Sequence, residues 1–215
     1  MAKHHNSLID TFGVFAFALM IIVLGKELAA LALPWTITIF AGLLGYVLAD
    51  FVSGFVHFLG DTFGSERTFL IGKTFIYPFR EHHTDQLAIT RHSFFVTNGN
   101  NCLVSLPVML LMHMYLFTYA QTSFAFAFLF ATLFFLVLSV FATNQIHKWA
   151  HMKKPPRIVK LLQRMHLILN PKHHAIHHAA PHTKYFCITT GWLNPVIEKI
   201  YLFKGIRKLF RVKTS

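Results

Sequence analysis

Four apolar stretches, each about as long as a bilayer's hydrocarbon core is thick, constrain this chain more than any other feature. A helix needs roughly 20 predominantly apolar residues to cross that core. Residues 11–33, 34–59, 103–119 and 124–146 reach or nearly reach this length. Pro34 suits the first turn of the second stretch, and the short polar turn 121–123 joins the third and fourth into a hairpin. Lys26 and Glu27 interrupt the first stretch where each would lie near the far headgroups. The expected fold class is all-α: an integral membrane bundle of four transmembrane helices, one domain over residues 1–215. Composition agrees, since 54% of the chain is apolar and only 13% is charged.

Four spans return the chain to its starting side. The N-terminus, the loop 60–101 and the tail 147–215 therefore share one face. Nineteen of the twenty Lys and Arg residues fall on that face, leaving Lys26 alone for the other. By the positive-inside rule the basic face is cytosolic, in either the endoplasmic reticulum or a bacterial inner membrane. The formal net charge of +12 follows this topology, which argues against nucleic-acid binding. Basic amphipathic stretches at 155–169 and 196–212 are expected to lie along the headgroups. No cleavable signal peptide is expected, because the first apolar run is as long as a span and has no small-residue cleavage site after it.

Fifteen histidines are the compositional anomaly. His4 and His5 belong to a polar leader and carry no signal, and His113 reads as a packed or snorkelling residue. The other twelve all fall on the basic face or at the span ends that enter it. They include four groups: His57-x-x-x-Asp61, Glu81-His82-His83, His147-x-x-x-His151 and His173-His174-x-x-His177-His178. Side chains at i and i+3 or i+4 share one helix face, so these groups aim ligating atoms at common points, a histidine-rich cytosolic cap. Imidazole suits Fe, Zn, Cu and Ni, and carboxylate shifts the preference toward iron over copper(I). One zinc needs three or four ligands, so nine or ten candidates imply two metals. No His-Glu-x-x-His motif occurs. Cys102 and Cys187 stand far apart, which offers neither a disulfide framework nor a thiolate zinc site; both read as packing residues.

Seven segments also carry a family likeness: Asp50-Phe-Val-Ser-Gly-Phe-Val-His57, Pro78-Phe-Arg-Glu-His-His83, Ile89-Thr-Arg-His92, Thr97-Asn-Gly-Asn-Asn-Cys102, Asn144-Gln-Ile-His-Lys-Trp149, Lys172-His-His-Ala-Ile-His-His178 and Tyr185-Phe-Cys-Ile-Thr-Thr-Gly-Trp-Leu-Asn194. Across residues 49–201 the chain closely resembles the plasmanylethanolamine desaturase family. The resemblance implies an O2-dependent enzyme with a non-haem pair of Fe ions that forms the vinyl ether double bond of a plasmalogen from an alkyl ether phospholipid. Electrons would come from a carrier such as cytochrome b5, or ferredoxin with its reductase. A related plant branch makes a trans double bond in a palmitoyl chain of phosphatidylglycerol. Two departures from the wider membrane desaturase pattern stand out. Phe79 occupies the first place of the usual His-x-x-His-His box, and Asp61 stands where other branches have histidine. The missing imidazole would then be replaced by Asp61, His92 or His166.

The expected metal ligands are His57, Asp61, His82, His83, His147, His151, His174, His177 and His178. His173, His92, His166 and His182 are candidates to ligate or to orient a ligand. Asp50 lies at a depth where a bare carboxylate is costly, so it should pair with a histidine or an amide, or bond between helices. Asn144 and Gln145 would hold a ligating water or pack helices. Arg80, Arg91 and Lys172 are candidate phosphate contacts, and Phe51, Phe55, Phe58, Phe94 and Phe95 candidate lining for an alkyl groove. Acyl desaturation or hydroxylation on the same scaffold, a metal-binding membrane protein without catalysis, and a haem protein remain alternatives. A transport role conflicts with the scarcity of polar residues at mid-span. Oligomeric state is open.

Overall fold

The computed structural model describes residues 7–69 and 71–211; His4, His5 and Lys3 lie outside them. Helix is the only regular secondary structure among the described residues. In order come α1 (Ser7–Ala30), α2 (Trp35–Thr62), α3 (Tyr77–Thr84), α4 (Phe94–Leu111), α5 (Phe117–Ala120), α6 (Phe124–His151), α7 (Arg157–Arg164), α8 (Pro171–His177), α9 (Asn194–Lys199) and α10 (Leu202–Leu209). A π-helical turn at Met112–Leu116 joins α4 to α5, making one helix of 27 residues. This helix, α1, α2 and α6 are each long and apolar enough to cross a membrane.

The chain divides into two compact units. One contains residues 7–49 and 93–144: all of α1, α4 and α5 and the larger parts of α2 and α6. Without a hydrophobic drive in lipid, helices associate through close van der Waals fit, and small residues permit it. Gly99 of α4 lies so near α1 that a Cβ there would sit 2.5 Å from Asp10 Cβ, and one on Gly13 would sit 2.7 Å from Leu103 Cγ. Gly45 brings α2 onto the α6 backbone, where a Cβ would meet the Thr132 carbonyl oxygen at 2.6 Å. Phe17, Leu24, Met109, Phe130 and Phe134 fill the core between them. The His113 ring bonds Glu27 Oε1 through Nδ1 at 2.6 Å, a polar pair within this unit.

The third span starts at Phe94, well before residue 103, because its polar first turns are satisfied by helix-compatible bonds. The Ser93 side chain caps it by accepting from the Val96 N–H. Asn98 donates to the Phe94 carbonyl one turn back, and Asn101 donates to the Val140 carbonyl of α6 at 2.8 Å. Apolarity alone misreads such a run as loop.

The other unit contains residues 50–92 and 145–211, including the last turns of α2 and α6 and all the remaining short helices. Its core is Phe58, Phe186, Cys187, Ile197 and Phe203, with the Phe58 and Phe203 rings stacked at 4.5 Å. The strap 186–193, which bends at Thr189 and Thr190, is fastened to α2. Asp50 Oδ1 accepts from the N–H groups of Thr189, Thr190 and Gly191, and Oδ2 from that of Leu193. Ser53 Oγ accepts from the Ile188 N–H, and Gly54 leaves room for Cys187, whose sulfur would collide with a Cβ at that position. The partner expected for Asp50 is thus an amide, supplied four times by the backbone. The basic stretch 155–169 contains α7, and 196–212 takes in most of α9 and all of α10, which a left-handed residue, Tyr201 at φ 55°, separates.

Candidate metal centre

Four short pieces of helix bring the ligand candidates together within one unit. The last turns of α2 present His57 and Asp61, and those of α6 present His147 and His151, each pair at i, i+4. Helix α3 starts on Pro78 and carries His82 and His83 near its end. Asn170 starts α8 by accepting from the Lys172 N–H at 2.9 Å, which places His174 and His177 on the helix and His178 at its C-terminal cap.

The ring nitrogens converge in two groups. In one, His147 Nε2 lies 2.9 Å from His174 Nε2 and 3.0 Å from His151 Nε2, and His174 Nε2 lies 3.0 Å from both His151 Nε2 and His178 Nε2. In the other, Asp61 Oδ2 lies 3.1 Å from His83 Nε2, 3.4 Å from His57 Nε2 and 3.5 Å from His177 Nε2. His82 belongs to both groups: its ligating atom is within 4.8 Å of those of His57, His83 and His177, and of those of His147, His174 and His178.

Hydrogen bonding does not account for the first group. Every N···N bond needs one N–H and one lone pair, yet His147, His151 and His174 form a closed triangle of Nε2 atoms. Three atoms that are each donor or acceptor satisfy at most two sides of a triangle. A shared cation satisfies all three at once. The spacing also fits, because two ligands at about 2.1 Å from a metal and at right angles are about 3.0 Å apart, against about 3.4 Å in a tetrahedron. In the second group, His57 Nδ1 donates to the Phe186 carbonyl at 3.1 Å and His177 Nδ1 to the Lys184 carbonyl at 2.8 Å. With Nδ1 protonated, each Nε2 turns a lone pair inward, and the Nε2 atoms of His57, His82 and His177 are buried without a hydrogen-bond partner among the described residues. Orphaned inward lone pairs of this kind are able to hold a metal ion.

Electrostatics agrees. Burial, reinforced by the neighbouring imidazoles, holds His82, His174 and His177 well below the usual histidine range and brings His178 down to about 3. These rings are neutral at physiological pH, the form that binds metal.

All nine expected ligands therefore meet in this centre. His182 packs against the His83 ring, centroids 4.3 Å apart, and its Nδ1 faces the His177 carbonyl. His173 turns elsewhere, packing at a tilt against Tyr185 and meeting the Asn194 amide through Nε2 at 3.2 Å. His92 and His166 join neither group; the His92 carbonyl accepts from Lys148 Nζ and the His166 carbonyl from Trp192 Nε1. Asn144 donates to the Thr97 carbonyl at 3.0 Å, a helix-packing bond. Arg80 donates to the Gly64 carbonyl at 2.9 Å, Arg91 pairs with Asp85, and Lys172 is exposed. Glu81, beside the histidine pair, accepts from the Tyr77 hydroxyl. Sequence reasoning missed the Phe186 and Lys184 carbonyls that orient two ligands, and Asn194, which clamps both backbone groups of Cys187. A backbone carbonyl leaves no trace in residue type, though the strap's attachment residues lie inside two of the family-like segments.

The model of a lipid desaturase domain family matches residues 46–215, a span that includes all nine side chains. The chain belongs to the lipid desaturase domain family. Among curated relatives, plasmanylethanolamine desaturase of Myxococcus xanthus is 51% identical over 81% of this chain and 61% of its own length. Plasmanylethanolamine desaturase 1 of Mus musculus is 47% identical over 80% of this chain and 64% of its own length. Fatty acid desaturase 4, chloroplastic, of Arabidopsis thaliana is 34% identical over 79% of this chain and 50% of its own length. The chain thus spans about half to two thirds of these family members. No solved structure gives a significant match. As a family member, the chain combines membrane-length helices with histidine clusters able to hold metal ions.

Proposed function

We propose that the chain is an O2-dependent di-iron lipid desaturase that forms the vinyl ether double bond of a plasmalogen from a plasmanyl phospholipid. The observation that carries this reading is the convergence of nine ligand side chains in a chain about half identical to proteins named plasmanylethanolamine desaturase. Two bound irons would supply the oxidation, in which O2, two electrons and two protons remove two hydrogens from adjacent carbons and leave two waters.

The chain's own residues set the conditions. His147, His151, His174 and His178 would hold one iron and His57, Asp61, His83 and His177 the other, with His82 within reach of both. Asp61 brings negative charge and hardness to an otherwise neutral imidazole set, which favours iron. The Phe186 and Lys184 carbonyls fix the tautomers of His57 and His177, so these ligands need no reorganisation. Desaturation and hydroxylation start alike, and the outcome depends on how rigidly the second C–H is held. Of the three basic candidates for a substrate phosphate, Lys172 is the one whose side chain is not engaged by the described residues; Arg80 and Arg91 are bonded within the protein. Electrons would arrive from cytochrome b5 or from ferredoxin with its reductase. The enzyme would sit in the endoplasmic reticulum or a bacterial inner membrane, with its basic face, metal centre and both ends of this chain cytosolic.

Lipid mass spectrometry tests the reading in cells that lack vinyl ether lipids and receive an alkyl ether precursor with the wild-type chain or its His174→Ala variant. Acid-labile products two hydrogens lighter, formed only by the wild type, are expected. The relative named fatty acid desaturase 4 supports a second reading, desaturation of an acyl chain. Unchanged ether lipids with a new acyl double bond would select it, and no new lipid from an iron-loaded chain would point to metal binding without catalysis.

A further inference from the structure

A cavity of about 620 Å³ opens in the C-terminal tail, and none of the nine ligand side chains lines it. Lys184, Lys199, Lys204 and Arg207 do, against one acidic residue, Glu198. None of the four cations is in a salt bridge among the described residues, and Arg207 is half-buried. Lys204 is held over the Tyr201 ring, 5.2 Å from its centroid, and both residues line the cavity. Four cations against the single Glu198 carboxylate leave the cavity with a net positive charge that an anion would offset. A guanidinium fork flanked by ammonium groups suits a phosphate.

The surroundings say where that phosphate would come from. The two helices that supply most of the cations, with the residues that flank them, also expose Val196, Ile200, Leu209 and Phe210, each more than half accessible. Basic side chains interleaved with exposed apolar ones on short amphipathic helices are suited to an acyl–headgroup boundary. A cavity of this size accommodates a headgroup, and its concavity does not suit a protein face. We propose that this cavity binds the phosphate of a membrane phospholipid headgroup, while the exposed apolar side chains of the same two helices meet the adjoining chains. The wall connects to the metal centre: the Lys184 carbonyl bonds His177, and Phe203 stacks on Phe58, next to His57. Charge and shape carry the site, so it stands or falls independently of the reaction catalysed.

The test is native mass spectrometry of the full chain in detergent, titrated with short-chain phosphatidylglycerol, with diacylglycerol of the same chains, and with glycerol 3-phosphate. Retention of phosphatidylglycerol about tenfold above that of either competitor is expected, a difference of about 1.4 kcal/mol. The Lys204→Gln/Arg207→Gln double variant should lose that preference. A Lys153→Gln/Lys154→Gln control, which removes equal charge from an exposed turn, should keep it. Unchanged thermal melting of the double variant would establish that it folds. Equal retention of diacylglycerol, equal binding of glycerol 3-phosphate, or the same loss in the control would each overturn the proposal.

Discussion

At the scale of single residues, two aspartates of α2 have opposite duties. Asp61 is the one carboxylate among eight imidazoles, with Oδ2 within 3.5 Å of three of them and Oδ1 buried without a hydrogen-bond partner. Replacing it by asparagine keeps the shape and removes the charge, so iron affinity should fall by at least the roughly 10- to 100-fold seen when a metal site loses a supporting group, and purified protein should carry less iron. Elemental analysis of purified protein reads this directly, while folding should persist. The Asp50 carboxylate instead gathers four backbone N–H groups of the strap. In Asp50→Asn the amide NH2 would confront an N–H, and a loss of about 2–4 kcal/mol is expected from weakened charge-assisted bonds. Thermal melting should show that loss first, with reduced iron binding following because the strap also carries the Phe186 carbonyl that orients His57. A variant that melts like the wild type would show that the carboxylate does not fasten the strap.

At the scale of elements, glycines mark where helices touch and where they do not. Gly45 rests on the α6 backbone, so Gly45→Ala should cost about 1–3 kcal/mol by forcing α2 and α6 apart. Gly205, inside α10, would place a Cβ in open space with nothing within 4 Å, so Gly205→Ala should stabilise that helix by about 0.5–1 kcal/mol. Melting curves of the two variants should therefore shift in opposite directions. Much of this architecture was legible beforehand because apolar length is a strong signal: most of 34–59 and all of 124–146 lie within α2 and α6. The start of α4 was not, because Asn98 and Asn101 look like loop residues until their carbonyl partners are known. The convergence of the expected ligands was legible for a related reason. His57 with Asp61 and His147 with His151 have helical spacing, whereas the inward His82 and the outward His173 differ only through the three-dimensional path of α3 and α8.

At the scale of the whole molecule, the centre links metal, proton and stability. His82, His174, His177 and His178 are all held below the unfolded histidine value of about 6.5, so the unfolded chain takes up more protons below that pH. Their contribution is present above about pH 6.5 and is lost as the pH falls toward the folded values, about 3 for His178. Iron-free protein should therefore melt at progressively lower temperature from about pH 6.5 to about pH 4. Iron-loaded protein should resist the change, since protons must then displace a metal. Identical pH profiles with and without iron would disconnect these histidines from metal binding. The central claim, that these nine side chains form a two-iron centre, is tested most directly by counting iron. Elemental analysis of the full chain, purified after expression in iron-supplemented medium, should give two irons per chain. A value of one, or full occupancy by zinc under those conditions, would contradict it.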